Sequence, residues 1–268
     1  MNFKLKALVA SLALVAALPA SAAMTTSASG NSSLILSLFD ATGAVSATFD
    51  LGYSKQSFVQ SADASWNLST NVDHSGAWNS FVAAANLGTA QYAVFAGDAL
   101  GTGVGAQSLF TTGAGVMSSI STSTLTTSLS SFDNYISANN GRENHNVAGV
   151  ADGASFNTSA NGNAYAGVSS AYGGNGGKVG AFGSDANGLI GANLNVWNLT
   201  SGANGLAQTS TVKLAFSGFN PYFNLSTDGI LSYVASAPVA AVPETDTSAM
   251  MLAGLGLMGF IARRRKSV

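Results

Sequence analysis

Six of the ten Lys and Arg residues sit in the two terminal segments, each time beside an apolar run. Lys4 and Lys6 precede Ala7–Ala17, while Arg263, Arg264, Arg265 and Lys266 follow Thr247–Ala262. The interior, Ala23 to Ala241, keeps only Lys55, Arg142, Lys178 and Lys213 as cations, against nine Asp and Glu143. Four minus ten gives it a charge of −6, which the whole-chain value of −2 conceals. Charged residues are 8% of the chain, against about 25% in soluble domains. Such an interior must fold on apolar burial and neutral hydrogen bonds. Its scarcity of cations argues against nucleic acid, whose phosphates need Lys and Arg, and against anionic lipid. The absence of cysteine excludes disulfides, thiolate metal sites, a cysteine nucleophile and a lipidated cysteine.

Met1–Ala22 has the order of a secretory signal peptide: a positive start at Lys4 and Lys6, an apolar stretch, and Pro19 to break it. Ala20-Ser21-Ala22 is a small-x-small cleavage site, so cleavage is expected between Ala22 and Ala23 by signal peptidase after Sec-type export.

At the other end, Thr247–Ala262 is uncharged over 16 residues. As a helix it would reach ~24 Å, a marginal bilayer span that the stems of Arg263–Lys266 could extend by snorkelling. The cations hold that end on the cytoplasmic side. Just before the run, Pro243 favours extended backbone at Val242, a shape suited to a protease cleft. A plain single-pass anchor and a buried helix are the alternatives for such a tail.

The order Val242-Pro243-Glu244, apolar run with glycines, then Arg263, Arg264, Arg265 and Lys266 resembles the PEP-CTERM sorting signal of Gram-negative bacteria. Thr245 stands where that family usually has a second Pro. The resemblance covers about a tenth of the chain. It implies recognition by an exosortase, a membrane-embedded, cysteine transpeptidase-like enzyme that removes the tail. It also implies a producer that makes exopolysaccharide and forms flocs or biofilms. The cation cluster beside an apolar run at each end predicts transient inner-membrane insertion at both ends. The expected organisation is a signal peptide at 1–22, an exported domain at 23–234, a linker at 235–241 and the sorting signal at 242–268.

Within the exported domain, L-I-L-S-L-F (34–39) and V-S-A-T-F-D-L (45–51) predict a hairpin across Asp40-Ala41-Thr42-Gly43. Trp78, Phe81, Val82 and Ala85 lie on one face of a short helix. Q-Y-A-V-F (91–95) predicts a buried strand. Leu125, Leu129, Phe132 and Ile136 make a helical stripe within a helix from Ser118 to Ala138, stopped by Asn139-Asn140-Gly141. From Gly149 to Gly191 the apolar islands Phe156, Tyr165, Val168, Val179 and Phe182 predict short strands among many turns, with a flexible loop region as the alternative. Strands follow at Leu194–Leu199 and Val212–Phe216, then a two-residue hairpin on Asp228-Gly229 within Tyr222–Val234. The fold class expected is β-rich α+β, with sandwich-like antiparallel sheets, one or two amphipathic helices and a C-terminal transmembrane-like helix.

No catalytic constellation emerges. His74 and His145 are the only histidines, each next to a carboxylate in Asp73-His74 and Glu143-Asn144-His145. That pairing could orient a base or hold a metal, but two solvent-facing histidines is the preferred interpretation. Gly-x-Ser-x-Gly and His-Glu-x-x-His are absent. Gly173-Gly174-Asn175-Gly176-Gly177-Lys178 begins like a calcium nonapeptide, but Lys178 stands where Asp is required. No cofactor is expected; a Ca²⁺ site among the scattered Asp residues has no locatable ligands. The function expected is an exported, non-catalytic cell-surface or matrix protein. Its partners would be exopolysaccharide or copies of itself. The alternatives are a carbohydrate-binding module, with Trp66, Trp78, Trp197 or Tyr222 exposed in a row, and a secreted hydrolase.

Overall fold

The computed structural model describes residues 23–147, 149–168 and 185–236. They belong to the first of two units into which the chain divides, ending at Ser236. The apolar run of the tail, the Gly173–Lys178 stretch, Val179 and Phe182 lie outside the described residues.

The strands are β1 (Ser33–Asp40), β2 (Val45–Ser54), β3 (Ala64–Asn67), β4 (Gln91–Asp98), β5 (Ser108–Gly113), β6 (Ala154–Thr158), β7 (Gly188–Leu189), β8 (Asn193–Thr200), β9 (Ser210–Lys213), β10 (Tyr222–Leu225) and β11 (Ile230–Val234). The helices are α1 (Ser75–Ala84) and α2 (Thr122–Asn140). All these strands join one antiparallel sheet, in the order β3-β11-β10-β8-β5-β4-β1-β2-β6, with β7 on β4 and β9 on β8. The sandwich of two sheets therefore gives way to a single curled sheet, a half-barrel. Its curvature is evident at Phe58, in the β2–β3 connection. That ring lies within 6.3 Å of the rings of Tyr53, Trp66, Phe110, Phe223 and Tyr233, centroid to centroid. Those rings come from five different strands, which only the inside of a curl can bring to one point. Trp66 on β3 also donates its indole N–H to the Leu51 carbonyl on β2, 2.9 Å away, near the far end of the sheet.

β1 and β2 pair as the hairpin expected, with Leu38 opposite Ala47 and Asp40 opposite Val45. Asp40 fixes the turn by accepting the N–H groups of Thr42 and Gly43. Both faces of β1 are buried: Leu34, Leu36 and Leu38 point into the curl, and Ile35 packs on the outer face. α1 places Ala77, Trp78 and Phe81 in the inner core and leaves Val82 36% exposed, so the stripe predicted through Val82 is narrower than expected.

α2 covers the outer face with the predicted stripe Leu125, Leu129, Phe132 and Ile136, and Phe132 stacks on Phe95 at 4.4 Å. It starts at Thr122 rather than Ser118. Ile120 is held extended by Thr209, whose N–H donates to its carbonyl at 2.8 Å. The Ser121 hydroxyl then caps the helix by accepting the Thr124 N–H.

Two further expectations are corrected, and one strand was not foreseen. The strand over Val212–Phe216 ends at Lys213, because Phe216 and Phe219 pair across a tight turn of their own. The β10–β11 loop has three residues, Thr227–Gly229, with Ser226 N–H donating to Ile230 O at 2.9 Å. Gly229 takes φ +83°, and a Cβ there would meet Trp78 at 2.7 Å, so this is a turn with a glycine bulge. β5 was not predicted: S-L-F-T-T-G is buried on both faces, with Leu109 outward and Phe110 inward, so no alternation shows.

Candidate functional site

The carboxylate–imidazole pairs seen in sequence meet in space. Asn144 joins them: its Nδ2 donates to the Asp73 carbonyl at 2.6 Å, and its Oδ1 accepts the Ala154 N–H at 2.8 Å. Four segments contribute: the end of β2, the turn before α1, the short helical turn Glu143–Asn146 and the loop before β6. They gather Asp50, Asp73, His74, Glu143, His145 and Asp152.

Both histidines are buried, His74 at 2% exposure and His145 at 0%, which corrects the expectation of solvent-facing rings. The His74 ring lies edge-on to Phe49 at 5.5 Å, and neither ring nitrogen makes a hydrogen bond of good geometry. Burial lowers its pKa, against the pull of Asp152, the Asp50 carbonyl and Asp73. His145 packs on Gly153 so closely that a Cβ there would fall 2.5 Å from Nδ1.

Asp50 and Asp152 are the members the sequence did not single out. In the alternation of β2, Asp50 occupies a polar position, which normally signals solvent, yet the outer face here is covered. It is 6% exposed. Its carboxylate accepts the Gly52 N–H at 3.0 Å and the Ser33 hydroxyl at 3.3 Å. Burial, reinforced by the charge of Asp152, raises its pKa to about 7 despite the Gly52 bond. Asp152 lies over Gly52, where a Cβ would meet Oδ2 at 2.8 Å and φ is +74°. Its own pKa is raised, first by burial.

This arrangement ties the loops together, with both imidazoles buried and Asp73, Glu143 and Asp152 keeping part of their surface exposed. None of these side chains lines either of the two described clefts. Among the described residues, no group of three or more His, Asp or Glu is placed to hold a metal ion. The other Asp residues mostly pin the chain. Asp133 accepts the N–H groups of Ser27 and Ala28, Asp63 that of Ala235, and Asp40 that of Asn86. The aromatic row does not form either. Trp78 and Trp197 are 3% and 8% exposed, and Trp66 and Tyr222 are half-buried.

The comparisons bear on the tail. Residues 241–266 match the PEP-CTERM protein-sorting motif. The chain carries a PEP-CTERM sorting motif. The motif implies an exported protein that is handled by an exosortase and associated with the cell surface. No curated protein and no solved structure matches the chain. Among the described residues no helix is long and apolar enough to cross a membrane.

Proposed function

We propose that this PEP-CTERM protein is a non-catalytic component of the cell surface or extracellular matrix, working by neutral hydrogen bonding to glycan or to copies of itself. In this proposal Val242-Pro243-Glu244 is presented to the exosortase, Arg263–Lys266 stops transfer, and Met1–Ala22 is lost at Ala22–Ala23. The sorting motif carries the proposal. Burial of both imidazoles supports it, since a serine hydrolase would need one of them as an accessible base.

The test is the intact mass and location of the protein made by its native host. The expected product lacks Met1–Ala22, ends between Val242 and Thr245, and is recovered at the cell surface or in the matrix. A product that keeps Arg263–Lys266 and fractionates with the inner membrane overturns the proposal.

A further inference from the structure

Where the connections β4–β5 and β8–β9 leave the same end of the sheet, two glycine-rich loops, residues 99–107 and 201–209, face each other over the first turn of α2. Between them is a cleft of about 390 Å³, within the ~300–1,000 Å³ range of small-molecule sites. We propose that this cleft binds a short stretch of neutral glycan. The proposal rests on the reading of the domain as a surface component that hydrogen-bonds to glycan, and names the partner chemistry of one place on it.

The lining decides the class of ligand. Thr102, Thr122, Thr126 and Ser201 bring hydroxyls, Gln107 and Asn204 bring amides, and glycines expose backbone between them. No ionisable side chain lines the cleft, so an ionic ligand would lose its hydration without a counter-charge. No aromatic ring lines it either, so a base or aromatic ligand would have nothing to stack on. The Thr122, Thr126 and Ser201 hydroxyls already donate inward and so meet a ligand as acceptors, while the Thr102 hydroxyl and the Asn204 amide N–H groups are left to donate; sugar hydroxyls can answer both. Ala203 adds a small aliphatic surface for the C–H face of a sugar. An extended peptide would instead favour an open sheet edge or apolar side-chain pockets.

The cleft is also held in shape before any ligand arrives. Gly105 N–H donates to Ser201 O at 2.8 Å, and the Ser201 hydroxyl donates to Gly103 O at 2.6 Å. Gly202 N–H donates to the Thr122 hydroxyl at 2.7 Å, and Ser123 N–H to Gly205 O at 2.9 Å. Gln107, 9% exposed, is fixed by the Thr126 hydroxyl, which donates to its Oε1 at 2.6 Å. Walls fixed in this way spare a ligand the entropy of ordering them.

Gly205 allows the site to be blocked without disturbing its frame. A Cβ there meets only Ser123 Cβ, at 3.8 Å, and the backbone is not left-handed. The experiment titrates the secreted, processed protein with cellotetraose, mannotetraose and galactotetraose, and with tetragalacturonate as the charged control, by calorimetry. At least one neutral oligomer is expected to bind, about tenfold or more tighter than the charged one. Gly205→Trp should weaken that binding about tenfold or more while melting as the wild type does. Thr102→Val, which removes one rim hydroxyl, should weaken it by a smaller factor. No binding of any neutral oligomer at about 10 mM overturns the proposal. So does equal binding of the charged oligomer, or of the neutral one by Gly205→Trp. Should Gly205→Trp melt early, Thr102→Val decides alone: unchanged affinity overturns the proposal. Shortened oligosaccharide among the products would instead overturn the non-catalytic reading, and secretion and processing of the variants report separately on sorting.

Discussion

Inside the curl, Phe58 meets Phe110, Phe223 and Tyr233, and Leu34, Leu36, Leu38 and Val94 fill the space around them. Under α2, only part of the contact is like this. Leu125, Leu129 and Phe132 pack on Ile35, Phe95 and Leu109. The next turns of the helix lay Tyr135 and Asn139 over hydroxyls and amides of β1, β2 and β6. Tyr135 shares hydrogen bonds with the Ser37 and Thr48 hydroxyls. Asn139 Oδ1 accepts from Ser155 and Asn157, at 2.6 and 2.9 Å, while its Nδ2 donates to the Ala164 and Tyr135 carbonyls. Apolar contacts stabilise many related packings. A buried polar lattice is satisfied in one arrangement and costly in the rest. The inner face thus supplies most of the burial energy, and the outer face fixes where α2 sits on the sheet.

The largest expected effect falls on the inner face. Phe223 is fully buried and touches the rings of Phe58, Phe110 and Tyr233. Phe223→Ala should cost about 3–5 kcal/mol, measured by urea denaturation of the secreted protein. A loss below about 1 kcal/mol would mean that the ring cluster collapses freely and does not hold the curl.

The ionisable groups sharpen the comparison through pH. Asp50 sits on the outer face of β2, and its pKa is raised from 3.8 to about 7. The folded state then holds a proton that the unfolded chain has released, so stability falls as pH rises from about 4 to about 7. Asp152 and Glu143, also raised by burial, act in the same sense. His74, packed against Phe49 of the inner face, acts oppositely: its pKa is lowered, so stability is lost as pH falls below about 6.5. Asp50→Asn should remove the slope that falls as pH rises. Relative to wild type it should gain up to a few kcal/mol between pH 5 and pH 7.5. Parallel stability curves for the two proteins would refute the assignment of that slope to Asp50.

A third test separates the worth of the outer polar layer from its specificity. Tyr135→Phe leaves the Ser37 and Thr48 hydroxyls without their shared partner and should cost about 1–3 kcal/mol. Adding Ser37→Ala and Thr48→Val should recover most of that loss, because no buried polar group is then left over. The triple variant should also show broader α2 signals by NMR. If it is as unstable as Tyr135→Phe alone, packing rather than hydrogen bonding explains the single substitution.

The same two faces explain what was legible in the chain. The elements were readable where a turn was marked, as at the β1–β2 hairpin, where an apolar run was nearly unbroken, as in β4, and where an apolar stripe ran beside a polar face, as in α2. Where both faces were buried, the alternation that marks a strand vanished, as in Leu109-Phe110-Thr111-Thr112 of β5. Ser46, Thr48 and Asp50 occupy the polar positions of β2 and were indistinguishable from an exposed edge, although α2 covers their side of the sheet. The same ambiguity hid His74 and His145, whose polar neighbours suggested loops in water. The sorting motif was readable because its order of elements is local and needs no fold. The glycine-rich loops around the cleft carry no such order, and only the register of β5 on β8 brings them together.

The smallest effects lie on α2 itself, which joins the two chemistries. Its sequence, T-S-T-L-T-T-S-L-S-S-F-D-N-Y-I-S-A-N-N, is poor in strong helix formers. Thr126, Thr127, Ser128, Ser130 and Ser131 each donate a hydroxyl back to the carbonyl four residues earlier, which competes with regular helix geometry. The helix is therefore held by its cap and its buried face. Ser121→Ala, which leaves the Thr124 N–H without its cap, should cost about 1 kcal/mol. Thr127 is exposed and touches neither core, so Thr127→Ala should stabilise by a few tenths of a kcal/mol through propensity alone. The two outcomes have opposite signs for the same loss of a hydroxyl. If both substitutions stabilise, the cap is dispensable and the outer face alone positions α2. If both destabilise, the Thr127 hydroxyl supports the helix through its bond to the Ser123 carbonyl rather than competing with it.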